Sequence, residues 1–99
     1  MKQLNNWISL VEVKAEQGSD VLGDAEGGFV NVVALCEDQD EYKRLVLKTM
    51  NEYELLIVEI SNIRLITEAL KEDLAEELIV LVNVLTEEFP IQFDEFQTF

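Results

Sequence analysis

The chain has 99 residues, 48% of them apolar, which suits one hydrophobic core and leaves too little for a second. Its 21 acidic side chains against 7 basic ones give a formal net charge of −14. That sign disfavours docking on the phosphates of nucleic acid or on anionic membrane surfaces, and it favours basic partners or cations. Residues 1–99 are therefore read as a single acidic domain.

In chain order, Trp7 to Ala15 alternates with period two and is rich in β-branched residues, which predicts a first strand. Glu16 to Gly28 holds all four glycines together with Asp20, Asp24 and Glu26, the composition of a loop. Phe29 to Cys36 is a second strand. Its nearly continuous apolar run is typical of strands covered on both faces, and Asn31 interrupts it at a bulge, an edge or a satisfied buried site.

Asp38 followed by Glu41 predicts a helix start, and Tyr42, Leu45, Val46, Thr49, Met50 and Tyr53 recur at helical spacing. Leu55 to Ile60 is a third strand, reached by a parallel crossover from the second. After the transition Ser61–Arg64, the residues Ile66, Leu70, Leu74, Leu78, Leu81, Val82 and Leu85 form one helical stripe. The pattern fits one long helix, or two with a break near Lys71–Asp73 and Asp73 as the second cap. Ile79, Val80 and Val84 widen the apolar surface beyond that stripe and must face a second element or a partner. Pro90 ends the helix or lies just past its end, and the alternating Phe89–Asp94 predicts a short edge strand. The expected fold is α/β, a two-layer sandwich of order β-β-α-β-α-β. It has a mixed four-stranded sheet with two helices on one face.

The inventory of reactive side chains is short. There is no His, which removes the commonest acid–base catalyst and metal ligand. Ser9, Ser19 and Ser61 thus lack a His partner, and Cys36, the single cysteine, has no His base and ends an apolar run. The glycine loop leads into a strand and carries acids, the wrong context and sign for a phosphate cradle. Its oxygens miss the alternating spacing of a calcium loop. No cofactor and no catalytic residue is expected.

Two surfaces remain as candidates. Residues 65–99 hold nine acids and one base. Among them Glu68, Glu72 and Glu76 stand at i, i+4 and i+8, with Asp73 and Glu77 beside them, a repulsive arrangement in an isolated helix. This acidic helix is the expected contact for a basic protein. Phe89, Ile91, Phe93, Phe96 and Phe99 form an apolar tail that either completes the core or pairs with another chain by strand addition. The expected function is a non-enzymatic, cytoplasmic protein–protein interaction domain, with homodimer formation through the apolar edges as one form of it. The alternatives are an immunity-type or nucleic-acid-mimic inhibitor of a basic toxin or nuclease, and a weak cation- or small-ligand-binding module at the Gly/Asp loop.

Overall fold

A computed structural model describes residues 3–16, 22, 23 and 25–99. The elements are β1 (Asn5–Ala15), β2 (Gly27–Cys36), α1 (Gln39–Glu52), β3 (Leu55–Leu65), α2 (Glu68–Asp73), α3 (Glu76–Asn83), β4 (Ile91–Phe93) and β5 (Gln97–Thr98). The strands form one sheet in the order β3-β1-β2-β4, with β5 also paired to β2. The α/β sandwich read from the sequence is thus present, with five strands where four were predicted.

Among the described residues every hydrogen-bonded strand pair is antiparallel, so the sheet they form is not mixed. β2 and β3 do run in the same direction, because both are antiparallel to β1. The crossover through α1 therefore joins parallel strands, but β1 occupies the place between them. A pattern of strand, helix and strand sets direction; it does not forbid an earlier strand from taking the gap.

The helices do not share a face. Tyr42, Val46 and Met50 of α1 pack with Val11 and Val13 of β1 and with Val30, Val32, Ala34 and Cys36 of β2. Leu78 and Val82 of α3 pack instead with Ile8 and Val33, together with Ile66. Ile8 and Val33 have the opposite parity along their strands, and successive strand residues point to opposite faces. The physical reason lies in β2: both of its faces are apolar, so a cover on one side alone would leave Val33 in water.

α1 is capped as the sequence indicates. Asp38 has extended backbone and its Oδ1 accepts the Glu41 N–H at 2.9 Å, satisfying one of the free donors of the first turn. The second helical stretch breaks, but at Leu74–Ala75. Leu74 swings out to ψ 144, and the N-cap position of α3 is Ala75, which offers no side-chain cap, so Asp73 is not its N-cap. Thr67 caps α2 through Oγ1 to the Leu70 N–H. The break lets one stripe close on a twisted sheet: Ile66, Leu78 and Val82 are buried, with Leu70, Leu74, Leu81 and Leu85 packed around them.

β3 runs on through Ser61–Arg64 with two register shifts against β1, and Asn62 takes a positive φ of 57°. Such bulges twist an edge strand away from regular pairing. β2 begins two residues earlier than predicted, at Gly27. A Cβ on Gly27 would stand 2.7 Å from the Val13 carbonyl oxygen and 2.9 Å from the Phe99 ring. On Gly28 it would stand 2.9 Å from the Gln97 carbonyl oxygen. These glycines thus belong to the sheet and admit the close approach of β1 and β5. Gly27→Ala is expected to destabilise the fold by about 1–3 kcal/mol through overpacking. Urea unfolding measures it, and a midpoint equal to that of the parent chain would show that the neighbouring strands yield freely. Among the described residues no helix is long and apolar enough to cross a membrane.

Candidate functional site

The reactive groups near α1 are closed off. Tyr42 is fully buried; its hydroxyl donates to the Val32 carbonyl at 2.8 Å and lies 2.6 Å from Ser9 Oγ. With its only proton directed to Val32, the tyrosine oxygen accepts from Ser9, so both hydroxyls are held in the core. Cys36 is also buried, and burial, reinforced by Glu41 and Asp38, pushes its thiol up to about 11. A thiol held that high is protonated at neutral pH and is a poor nucleophile. Asp20, Asp24, Gly18 and Ser19 of the glycine loop lie outside the described residues.

The acids Glu68, Glu72, Asp73, Glu76 and Glu77 are all exposed, but the break at Leu74–Ala75 divides them between two helices. The i, i+4, i+8 ladder therefore does not run along a single axis. Lys71 pairs with Glu68 at 3.7 Å. The apolar tail also divides. Ile91, Phe93 and Phe96 pack on the α1 core, with Phe93 meeting Tyr53 edge-on at 5.4 Å and Phe96 at 5.6 Å. Phe89 and Phe99 stay 62% and 65% exposed, Phe99 leaning on Phe29 at 5.5 Å.

One place brings the two surfaces together. Glu77, Val80 and Leu81 lie on α3 at i, i+3 and i+4, a spacing that puts them on one side of the helix. Facing them are Phe93, Asp94, Glu95 and Gln97, and between the two walls is an open groove of about 740 Å³. Three of the seven lining residues are carboxylates and none is basic. Val80 is 56% exposed and Val84, one turn on, is 50% exposed. Of the three apolar residues that widened the last helix, Val80 and Val84 therefore stay largely in solvent, while Ile79 is half-buried.

The strand wall has its own construction. From Phe93 to Gln97 the chain takes four steps while the paired strand, from Val32 to Phe29, takes three. β4 and β5 are thus one edge strand interrupted by a one-residue bulge, a device that redirects side chains. Asn31 anchors it: its backbone N–H donates to Asp94 Oδ1 at 2.8 Å and its Nδ2 to Oδ2 at 2.9 Å. That is the satisfied site behind the polar interruption of β2. Of the predicted contact residues, then, only Glu77 and Phe93 line the groove. Val80, Leu81, Asp94, Glu95 and Gln97 complete it, and the excess apolar width of the last helix was the one signal that pointed there. Comparison with family models, with curated proteins and with solved structures finds no match for this chain.

Proposed function

We propose that this chain is a non-enzymatic protein–protein interaction domain whose groove between α3 and the β4–β5 edge receives a basic partner. The observation that carries the reading is the pairing of exposed apolar surface with carboxylates on both walls. Val80, Leu81 and Phe93 offer area whose burial drives association, while Glu77, Asp94 and Glu95 choose the sign of the partner and speed its approach. Two copies of the chain would each bring a net charge of −14, which favours a basic partner over self-association. A basic toxin or nuclease held by an immunity-type inhibitor falls within this class of partner.

The test immobilises the parent chain, Glu77→Gln/Glu95→Gln and Val80→Ser, and measures proteins retained from a host lysate across a salt series. Lysine- and arginine-rich proteins are expected on the parent chain at low salt. The double variant should hold them about tenfold less, from the loss of roughly 1 kcal/mol or less at each charge. Val80→Ser should weaken retention by a factor that salt does not change. Equal retention by all three proteins would sink the proposal.

A further inference from the structure

The form of that partner can be read from the edge strand. The Leu35 N–H donates to the Pro90 carbonyl, and the Asp94 N–H donates to the Asn31 carbonyl at 3.1 Å. Residues 90 and 94 therefore turn their backbone groups toward β2. In an antiparallel ladder these inward positions alternate with outward ones. Ile91 and Phe93 accordingly present their N–H and C=O away from β2. Among the described residues β4 is the last strand in the sheet order, so those groups lie along the outer edge of the sheet. Phe93 also lines the groove.

The opposite edge offers less. β3 is longer, but its two register shifts and the positive φ of Asn62 interrupt any regular ladder, as edges that avoid pairing commonly are. β4 is short, and the Asp94–Asn31 clamp and the following bulge fix where an added strand must stop.

Resting on the functional reading above, we infer that the groove takes an extended segment carrying lysine or arginine, which adds as a strand to the outer edge of β4. Backbone bonds to Ile91 and Phe93 set its register. Side chains alternate along such a segment, so one set points to the side of the sheet that carries α3, where Val80 and Glu77 lie, and the other to the side on which Phe93 packs against Tyr53. Charge complementarity selects the occupant: three carboxylates line the groove without a basic side chain.

The experiment uses the whole chain and three synthetic ten-residue probes of equal charge. The first alternates lysine and valine, the second is the same peptide with every central amide N-methylated, and the third is a helix-forming peptide of lysine, alanine and leucine. Calorimetry gives affinities, and amide exchange by NMR follows Ile91 and Phe93. The unmethylated strand peptide should bind best, and about tenfold or more above its methylated twin, the effect of losing about two backbone hydrogen bonds. It should also slow exchange at Ile91 and Phe93. Equal binding by the twins, or preference for the helical peptide, with exchange at those amides unchanged, overturns strand addition and leaves the basic-partner reading intact. Failure of all three probes to bind at the groove overturns both.

Discussion

Tyr42→Ala is expected to remove about 3–5 kcal/mol of stability, the largest effect of any single substitution considered. The ring is fully buried among Val11, Val13, Val32 and Val46, and deleting a buried aromatic side chain costs this much because the surroundings collapse only in part. The hydroxyl adds to the loss, since the Val32 carbonyl and Ser9 Oγ each lose a partner in a region closed to water. A domain of this size holds roughly 5–15 kcal/mol in total, so Tyr42→Ala sits near the edge of folding. Tyr42→Phe keeps the ring and isolates the hydrogen-bond part, about 1–2 kcal/mol. Urea titration followed by Trp7 fluorescence reports both, because Trp7 packs on the same cluster and its Nε1 donates to the Cys36 carbonyl. Leu47→Ala, at an exposed position of α1, should stay within about 0.5 kcal/mol of the parent chain. A Tyr42→Phe variant as stable as the parent would show that the Ser9–Tyr42–Val32 chain contributes nothing.

Alkaline pH should unfold the domain by way of the same cluster. Burial raises the Cys36 thiol from 9.0 to about 11, and it raises the Tyr42 phenol well above its ordinary value of 10.0, an effect that the Ser9 hydrogen bond only partly offsets. Both groups are neutral when protonated, so each folded-state shift is upward. Their contribution is complete below the unfolded values and fades as pH climbs toward the folded ones. Above pH 9 the unfolded chain releases the thiol proton while the folded chain keeps it, and from pH 10 the phenol follows. Each such group lowers unfolding free energy by about 1.4 kcal/mol per pH unit. Urea midpoints measured from pH 7 to 11 should therefore be flat at first and then fall with steepening slope. Cys36→Ala should delay the fall by about one pH unit, the interval between the two unfolded values. A profile that declines no sooner and no more steeply than that of Cys36→Ala/Tyr42→Phe would show that neither group is shielded in the folded state.

How much of this was legible beforehand differs from element to element. Asp38 and Glu41 announced the start of α1, because a cap is chemistry between neighbours three residues apart. The stripe from Ile66 to Leu85 named its core residues correctly even though the helix breaks inside it. Burial spacing survives a kink as long as the same side still faces the sheet. The glycine-rich composition reads as loop, whereas Gly27 and Gly28 are paired strand residues. Their need for space comes from Val13, Gln97 and Phe99, residues far away in sequence. The acidic ladder assumed one helix axis, and the turn at Leu74 removed that assumption.

Periodicity, capping and net charge are properties of short windows and of composition. They determined which residues of the Ile66–Leu85 stripe pack on the sheet, where α1 begins, that the chain is α/β, and the sign of its net charge. Strand order, the side of the sheet on which each helix lies, and the meeting of Glu77 with Phe93 depend on pairings between residues dozens of positions apart. No local pattern encodes them; they were decided when β1 inserted between β2 and β3 and the two apolar faces of β2 each required a cover.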